Sequence, residues 1–336
     1  MSIDEKVVIM MATYNGADYI KRQMDSILSQ SYSNWEMYIS DDSSNDGTLE
    51  ILKKYKQKDN RIKKILVNNN YHGAFANYFN VMHYVKNCGT KYSYYFYCDQ
   101  DDMWVKDKLE FEICEMRKIE YANKNIPVFC YSDLELVDSR GEKLNDRMSN
   151  HIKVQFSEKP YNIFFKEQYV WGTTMGHNSR LWDIMAIESP DTVKNMIPHD
   201  TYVSRYAAIY AKIKFIERPL VIYTRHGNNV TGIPGNGGMI KNLKKLTIKL
   251  PEVINRTASS YGGGLYLLRN IADKNLKVKE LENCLLFGGV KARSFIRKYR
   301  LLEEEYFWGR CATKFILYTG VYRLSKSYRK YRELRC

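Results

Sequence analysis

The sequence predicts an α/β protein with a doubly wound, mostly parallel sheet and a helical, basic C-terminal extension. Continuous apolar runs, typical of strands buried on both faces, alternate with stretches whose apolar residues recur at helical spacing. Polar or acidic clusters follow several of these runs, and in such sheets ligands bind beyond the carboxyl ends of the strands. Lys and Arg concentrate towards the end of the chain, which sets that region apart.

Each element is predicted from its own stretch of sequence. The apolar run Val7–Ala12 predicts the first strand, and the turn residues 13–16 end it. Apolar residues at helical spacing between 20 and 28 predict the helix that follows. The later elements are a strand at 35–39, a helix opening at 49, a short strand at 65–67, a helix around 79–85, an aromatic strand at 92–97 and a strand at 127–131 that ends at Ser132-Asp133.

Length and composition exclude several classes of protein. A chain of 336 residues with 44% hydrophobic content can bury a large core. Its seven cysteines are scattered and form no Cys-x-x-Cys pair, which argues against a disulfide framework or a structural zinc. The N-terminus lacks a signal-peptide pattern, and no apolar stretch is long enough to span a bilayer. We therefore expect a cytoplasmic protein.

The most informative segment is Asp99-Gln100-Asp101-Asp102, directly after the aromatic strand. Three carboxylates this close repel one another when ionised, so they either hold protons or need a cation. Oxygen ligands of this kind suit Mg²⁺ or Mn²⁺. Solvated turn acids are the alternative, because an isolated Asp-x-Asp is common. The polar ends of the neighbouring predicted strands favour a ligand site.

The regular alternation of strands and helices weakens after about residue 145. The segment Gly232–Gly238 is the best candidate linker, because Pro and Gly are dense there. We therefore expect residues 1–232 to form one domain with two functional halves, at about 1–145 and about 146–232. Residues 233–336 are expected to form the linker and the helical basic region.

The formal net charge of +14 is uneven, since positions 291–336 hold 13 Lys or Arg against 4 Glu. The cations are interleaved with apolar residues such as Phe295, Tyr299 and Trp308, which fits an amphipathic face. An anionic membrane surface is the predicted partner of this basic C-terminus. Nucleic acid, which we do not expect to bind, and a solvated helix face without a partner are the alternatives.

Five motifs, in the correct order, resemble those of the family 2 inverting glycosyltransferases, which have the GT-A fold. The resemblance runs from Val7 to about Gly232, and it is closest to the bacterial rhamnosyltransferase-like branch, which assembles surface polysaccharides. The motifs are Ala12-Thr13-Tyr14-Asn15-Gly16, Ser40-Asp41-Asp42-Ser43-Ser44-x-Asp46-Gly47-Thr48, Asp99-Gln100-Asp101-Asp102-x-Trp104, His199-Asp200 and Tyr223-x-Arg225-His226-x-Asn228-Asn229-x-x-Gly232.

The resemblance implies that a nucleotide-diphosphate sugar, the donor, binds in the first half, and the acceptor in the second. Asp101 is expected to ligate Mn²⁺ or Mg²⁺, with Asp99 near the ribose or the water shell of the ion and Asp102 in support. A divalent ion neutralises the charge of the departing diphosphate as a Lewis acid. For Asp102 the alternative is a helix N-cap before Met103.

The nucleotide base needs a stacking surface and a hydrogen-bond partner. By resemblance, Tyr14 and Asp42 take these roles, and Asp42 is expected to contact a ring N–H of the base. Loop capping by Asx-type turns is the alternative for Asp41 and Asp42. The other residues expected at the donor are Thr13, Asn15, Asp41, Gln100 and Arg225, the last as a planar fork for phosphate.

Inversion requires a general base for the acceptor hydroxyl, and the resemblance assigns that role to Asp200, with His199 orienting neighbouring groups. Asp183 and Asp191 are competing acids, and a helix cap is the alternative for the His199-Asp200 pair. His226 is expected to complete the metal shell, with a structural histidine as the alternative. The residues expected to border the donor sugar or the acceptor are Trp104, Trp171, Gly172, Thr173 and His199, with core packing as the alternative for both Trp residues.

These expectations combine into a metal-dependent inverting glycosyltransferase that acts on a lipid-linked glycan, peripherally on the inner face of the cell membrane. Rhamnose from a dTDP-linked donor is the first candidate, and UDP-linked hexoses or N-acetylhexosamines are the alternatives. A sugar nucleotidyltransferase is less consistent, because residues 12–16 hold one glycine and form no Gly-rich phosphate loop. An inactive basic scaffold on membrane or nucleic acid is the alternative from another class.

Overall fold

The computed structural model describes residues 5–69, 72–138, 140–152, 156, 158–165, 170–187, 197–224, 241–271, 274–301 and 307–334. The chain divides into two units, the first from Met1–His151 and Val170–Asn229 and the second from Ile152–Tyr169 and Val230–Cys336. The second unit thus takes residues 152–169 from the region that the sequence assigns to the second half of the first domain. The predicted linker 232–238 lies outside the described residues.

The described part of the first unit holds one mixed sheet of nine strands in the order β3–β2–β1–β4–β8–β6–β9–β5, with β7 beside β6. The strands β3, β2, β1 and β4 run parallel, and so do β6 and β9. The strands are β1 Val7–Thr13, β2 Trp35–Asp41, β3 Ile62–Val67, β4 Tyr94–Cys98, β5 Met103–Trp104, β6 Val128–Val137, β7 Lys143–Arg147, β8 Met175–Asn178 and β9 Lys212–Thr224.

Helices connect the strands and build the second unit. None of those in the described residues has both the length and the apolar composition of a membrane-crossing segment. They are α1 Ile20–Leu28, α2 Thr48–Lys58, α3 Ala74–Asn87, α4 Lys108–Ala122, α5 Met148–Ile152, α6 Pro160–Phe165, α7 Ser179–Ile184, α8 His199–Tyr210, α9 Lys241–Asn270, α10 Leu276–Phe287, α11 Gly289–Lys298, α12 Phe307–Thr319 and α13 Lys326–Glu333, with 3₁₀ helices at Gly172–Thr174 and Val321–Leu324.

The predicted doubly wound α/β fold is confirmed. The apolar run of β1 is completely buried from Val7 to Met11, as expected for a strand covered on both faces. In register, Thr13 of β1 lies opposite Asp41 of β2, and Met11 lies opposite Cys98 of β4. The carboxyl ends of these three strands therefore meet at one edge of the sheet.

One predicted strand end is wrong. The strand β6 continues to Val137 instead of ending at residue 131, and its register shifts between Ser132 and Leu134. Asp133 lies in this irregularity, where its carboxylate accepts hydrogen bonds from the Leu134 N–H at 2.8 Å and the Ser149 hydroxyl at 2.6 Å. A buried polar residue was taken as a strand end because sequence alone does not reveal a bulge that satisfies it.

Tyrosines form much of the core of the second unit. Tyr322 packs edge-on against Tyr261 and Tyr328, with ring centroids 5.2 and 5.1 Å away. The hydroxyls of Tyr322 and Tyr328 both donate to the carbonyl of Leu285, at 2.6 and 2.8 Å. A buried tyrosine needs such a partner for its polar tip. Residues of the basic C-terminal region are therefore part of a packed core.

Candidate functional site

Polar groups from three strand ends meet at one edge of the sheet. The Thr13 hydroxyl donates to Asp41 Oδ2 at 2.7 Å, which joins the ends of β1 and β2. The segment after β4 reaches the same place, since Gln100 bonds to the backbone of Tyr14. The predicted convergence of the three polar strand ends is confirmed.

Gln100 holds the backbone of Tyr14 with two hydrogen bonds. The Tyr14 N–H donates to Gln100 Oε1 at 2.8 Å, and Gln100 Nε2 donates to the Tyr14 carbonyl at 2.9 Å. Both amide atoms of Gln100 are therefore engaged within the chain, so its side chain positions the Tyr14 backbone, and its predicted donor contact stays a prediction. The Tyr14 side chain remains 55% exposed and offers the stacking surface that the sequence predicts.

The side chains of Thr13, Asn15 and Asp41 stabilise the loops around this edge. Asp41 accepts from the Ser44 N–H at 2.8 Å and from the Ser44 hydroxyl at 2.7 Å, besides Thr13. Asn15 receives the Asn45 N–H at 3.0 Å on its side-chain oxygen. Thr13 and Asp41 are buried, with their oxygens used locally, and for Asp41 these bonds fit the loop-capping alternative.

Asp42 is buried and joins β2 to the start of α3. It accepts from Asn68 Nδ2 at 2.8 Å and from the Gly73 N–H at 2.7 Å, and His72 Nδ1 lies 3.1 Å away. A carboxylate can accept about four hydrogen bonds, which leaves capacity for a base N–H. The exposed His72 was missed by sequence reasoning, because the segment before α3 carries no periodic signal.

The acids after β4 interact with one another. Asp99 and Asp101 are partly exposed, whereas Asp102 is buried. Burial, together with the nearby Asp101, raises the pKa of Asp99 to about 6, against the opposing Tyr78 hydroxyl. Burial also raises the pKa of Asp102 well above its usual range, and Asp101 and Asp99 add repulsion. A cation beside these groups would favour their ionised forms.

Asp102 precedes the short strand β5, so the helix N-cap alternative for this residue is wrong. The Thr173 hydroxyl and the Thr224 N–H are close enough to lower its pKa. Neither of its carboxylate oxygens, however, has a hydrogen bond of normal geometry within the described chain. A buried carboxylate with so little compensation fits a position next to a bound cation.

The arrangement suits a metal that is shared with a ligand. In the described ranges, no three His, Cys, Asp or Glu side chains are grouped so that they could hold a metal ion. Mg²⁺ is usually bound by one or two carboxylates, with substrate phosphates and water in the other positions. The partly exposed Asp101 beside Asp99 fits that kind of site. The predicted ligand His226 and the predicted phosphate contact Arg225 lie outside the described residues.

A contact path leads from these acids to Asp200. The Tyr78 hydroxyl donates to Asp99 Oδ1 at 2.7 Å and also lies 2.8 Å from the Cys98 carbonyl. The Tyr78 ring stacks on the His199 ring, with centroids 3.4 Å apart and planes inclined by 17°. His199 begins α8, and the partly exposed Asp200 follows it in the first turn. Asp99 and Asp200 therefore lie at the same edge of the sheet.

His199 is held by packing. Burial lowers its pKa to about 3, so the ring is neutral near pH 7. Neither ring nitrogen has a hydrogen bond within the described residues. A methyl group added to Gly172 would lie 2.1 Å from His199 Nε2, so only glycine fits there without displacing the ring. Both residues are buried, and His199 lies at the start of α8, directly before Asp200, so the predicted orienting role of His199 and the predicted acceptor contacts stay predictions.

Two further predicted acceptor contacts lie in the packed layer beneath the site. Trp104 is buried, and its Nε1 donates to the hydroxyl of the buried Thr173 at 3.3 Å. The core-packing alternative is therefore correct for Trp104, and Thr173 belongs to the same layer. Trp171 keeps partial exposure and still offers a surface to a ligand.

Sequence reasoning missed Tyr78, which links the metal motif to α8. Helical spacing in 79–85 predicted the helix, but nothing in that pattern indicated that the preceding tyrosine reaches a residue far away in the chain. A polar-tipped aromatic residue beside an apolar helix face is the only local signal.

Residues 8–180 match the family described as Glycosyl transferase family 2. The matched region includes the ends of β1, β2 and β4 and stops before Asp200. Among curated proteins, the Shigella flexneri dTDP-rhamnosyl transferase RfbG is 28% identical over 230 residues, which cover 66% of this chain and 73% of RfbG.

A second relative is the Escherichia coli protein WfgD, named UDP-Glc:alpha-D-GlcNAc-diphosphoundecaprenol beta-1,3-glucosyltransferase. It is 33% identical over 139 residues, which cover 40% of this chain and 48% of WfgD. The chain thus spans only about half the length of this relative.

Among solved structures, S. aureus TarS residues 1–349 in complex with UDP aligns over 94% of this chain and 80% of that one, with a TM-score of 0.51. Sequence identity is 13%, so this likeness concerns the fold alone.

Proposed function

The chain belongs to glycosyl transferase family 2, and on this basis we propose that it is a metal-dependent inverting glycosyltransferase. It would transfer a sugar from a nucleoside-diphosphate donor to a glycan carried on a membrane lipid, at the inner face of the cell membrane. The observation that carries the proposal is the contact path from Asp99 through Tyr78 and His199 to Asp200, which puts a metal-type acidic motif and a separate carboxylate at one sheet edge.

The donor would bind over the ends of β1, β2 and β4. In this proposal the exposed Tyr14 ring stacks on the nucleotide base, and Asp42 accepts a ring N–H with its remaining capacity. Asp101 and Asp99 would hold the divalent ion, Mg²⁺ or Mn²⁺. When bound, that ion supplies Lewis-acid stabilisation of the charge on the diphosphate.

Asp200 would act as the general base. The acceptor hydroxyl attacks the anomeric carbon on the face opposite the diphosphate, and its proton passes to the Asp200 carboxylate. The new glycosidic bond forms as the bond between the anomeric carbon and the phosphate oxygen breaks. The configuration of the sugar is therefore inverted. The Thr201 N–H donates to Asp200 Oδ1 at 2.5 Å, which orients the carboxylate in the first turn of α8.

Two donors are supported by relatives. RfbG is named a dTDP-rhamnosyl transferase, and the alignment with it covers 66% of this chain, so we propose dTDP-rhamnose first. The name of WfgD gives UDP-glucose as the second candidate and a diphosphoundecaprenol-linked sugar as the kind of acceptor. A pyrimidine base suits the same stacking and N–H contacts in both cases, and UDP-N-acetylhexosamines remain in the test set.

A thermal-shift panel tests the donor part of the proposal. The purified protein is heated with dTDP-rhamnose, UDP-glucose and UDP-N-acetylglucosamine, each with and without Mn²⁺. A ligand that binds the native state raises the melting temperature, and we expect one donor to do so only with the metal.

Asp101→Ala should abolish the metal-dependent increase. The matched control is Asp183→Ala, an exposed acid on α7 that should leave the increase unchanged. If no nucleotide sugar shifts the melting temperature, and no sugar is transferred to a lipid-linked acceptor, the inactive scaffold becomes the better description.

A further inference from the structure

The second unit exposes a group of large apolar side chains. They are Phe287, Val290, Phe315 and Tyr318, and we call them the Phe287 patch. Their exposed fractions range from 36% for Tyr318 to 84% for Val290. Side chains of this size are usually buried, and several of them together on a surface indicate a contact with another body.

The patch is built into the fold by a Gly-Gly junction. Gly288 and Gly289 join α10 to α11 with φ of 60° and 55°, in the left-handed region that favours glycine. A methyl group on Gly288 would lie 3.0 Å from the Leu317 carbonyl oxygen, so the junction packs directly on the end of α12. This contact brings Phe287 and Val290, on either side of the junction, next to the end of α12.

The other two members come from α12 itself. Phe315 and Tyr318 are three residues apart, so they lie on one face of the helix, one turn from each other. A methyl group on Gly289 would lie 3.9 Å from the Tyr318 carbonyl oxygen, which confirms that α11 starts beside this turn. The four side chains therefore surround a single helix junction.

Cations border the patch. Lys291 follows Val290, and Lys314 precedes Phe315. Arg323 Nε donates to the Gly320 carbonyl at 3.3 Å, so its guanidinium is held near the same junction. The described residues from 289 to 301 and from 307 to 334 contain twelve Lys or Arg and one acid, Glu333.

The described acids on α10 are engaged by other cations. Glu280 on α10 is paired with Lys298 at 2.7 Å. Glu282 faces Arg269 and Lys274, each at 3.8 Å. Within the part of the chain that the structure describes, no ion pair joins Lys291 or Lys314 to a carboxylate. Within the described residues, the patch is therefore an apolar surface accompanied by cations without a paired carboxylate, and Glu303, Glu304 and Glu305 lie outside those residues.

We propose that the Phe287 patch docks on an anionic lipid bilayer. The apolar side chains enter the interface between headgroups and acyl chains, and the bordering cations meet lipid phosphates. The inference rests on the proposed function, because an enzyme with a lipid-linked acceptor must work at a membrane surface. The inference adds to that function the part of the molecule that contacts the membrane.

Charge also disfavours the two other possible occupants. A second copy of the chain on the same patch would bring like charges face to face, which opposes association. Nucleic acid would meet the cations, but its phosphate backbone gives no reason for exposed Phe and Val side chains. An anionic bilayer matches both the apolar and the charged part of the patch.

Vesicle flotation tests the proposal. The full chain is mixed with vesicles of phosphatidylglycerol and phosphatidylcholine, or of phosphatidylcholine alone, without donor or acceptor. We expect binding to the anionic vesicles that weakens with salt. Two double variants separate the apolar contribution from the electrostatic one. We expect the partition coefficient to fall by at least about tenfold in Phe287→Ser/Val290→Ser, which removes apolar side chains, and in Lys291→Glu/Lys314→Glu, which reverses two charges.

Matched controls lie at the other end of α10. Leu276 is 68% exposed, and Leu276→Ser removes an exposed apolar side chain about 16 Å from Phe287 along the helix. Lys277→Glu changes the charge at the same end. Both controls should bind vesicles like the unmodified protein. Thermal melting confirms that all variants fold, since every substituted side chain is exposed or borders solvent.

The proposal is overturned if the unmodified protein does not float with anionic vesicles, or if the patch variants and the controls bind equally. It is also overturned if light scattering shows that Phe287→Ser/Val290→Ser dissolves an oligomer, since the patch would then join copies of the chain. Binding of duplex DNA that is lost in Lys291→Glu/Lys314→Glu, together with no flotation on anionic vesicles, would also overturn the proposal and assign the cations to nucleic acid. A protein that floats through the patch but transfers no sugar would refute the proposed function and leave this inference intact.

Discussion

Asp200 depends on residues that never need to touch a substrate. It follows His199, whose ring is fixed between Tyr78 and the bare backbone of Gly172. The same Tyr78 holds Asp99 through its hydroxyl. One tyrosine thus contacts Asp99 and the histidine that directly precedes Asp200, although these residues come from distant parts of the chain. In the proposed mechanism, the positions of the acidic groups therefore depend on packing as well as on charge.

The base assignment predicts the effect of Asp200→Asn. The amide keeps the size and the hydrogen bond to Thr201 but cannot accept a proton, so the turnover number should fall by about 10²–10⁴-fold. Donor binding, measured by thermal shift, should be unchanged. Asp183→Asn serves as the control. Turnover within a few-fold of the unmodified enzyme would assign the base to another group.

Gly172→Ala should act through His199. The added methyl displaces the ring, so we expect turnover to drop by at least about tenfold with donor affinity retained, since small misplacements are costly. In a His199→Ala background the same methyl has no ring to displace and should cause little further loss. A double-mutant cycle of turnover and of urea unfolding measures this coupling. Additive losses would refute the contact as the cause.

The buried His177 predicts a loss of stability in mild acid. Burial lowers its pKa to about 4, and it bonds to Tyr97 and to the Asn178 carbonyl. Below the usual pKa of about 6.5 the unfolded chain takes up a proton that the folded ring refuses, so stability decreases as pH falls from 6.5 towards 4. The contribution of His177 to this slope should be up to about 1.4 kcal/mol per pH unit. Urea unfolding of His177→Gln should show a correspondingly smaller slope, and an unchanged slope would contradict the assignment.

At the scale of elements, the sequence was most informative where one rule governs a whole strand. The buried run of β1 and the polar residues after β1, β2 and β4 follow from parallel-sheet geometry, so their convergence was predictable. The partners of individual side chains were less predictable. Gln100 and Asp41 have the residue types of ligand contacts, yet both are used by neighbouring loops. Pattern alone does not distinguish a polar atom that is engaged locally from one that awaits a ligand.

The helix α4 carries a completely buried ion pair. Lys108 in its first turn contacts Glu112 one turn later, and the Lys108 ammonium lies 5.0 Å from the Trp104 ring centroid and 5.7 Å from that of Phe96. Trp104 in turn bonds to Thr173. The ion pair therefore packs against Trp104, which together with Thr173 forms the packed layer beneath the candidate site.

Removing one partner of this ion pair should lower the free energy of unfolding more than removing both partners. Glu112→Gln leaves a buried ammonium without its counter-charge, which we expect to lower the free energy of unfolding by about 3–5 kcal/mol. Lys108→Met/Glu112→Leu removes both charges and should cost less, or even stabilise the fold. Urea unfolding of the two variants gives the comparison. A double variant that is less stable than the single one would show that the pair itself is strongly favourable.

At the scale of the whole molecule, the basic C-terminal region is a structural part of the second unit. Tyr322 and Tyr328 are buried there, and a methyl group on Gly262 of α9 would lie 2.6 Å from the ring of Tyr331 on α13. Its helices therefore cover α9 and α10.

A chain truncated before Gly289 should therefore lose more helical structure than the deleted helices α11 to α13 contain. We expect the loss of helical signal in circular dichroism to exceed the contribution of α11 to α13, because α9 and α10 lose the tyrosines that cover them. A chain that lacks only residues 335–336 is the control. A loss that equals the deleted helices would mean that α9 and α10 are stable without them.

The pair of hydrogen bonds between Gln100 and Tyr14 has a consequence for engineering. These bonds join the loop after β1 to the loop after β4, and each loop supplies one of the two bonded residues. A chimera that takes only one of these loops from a relative would separate two hydrogen-bonding partners, and the Tyr14 backbone would lose both bonds to Gln100. Attempts to exchange donor preference should transplant both segments from a single parent.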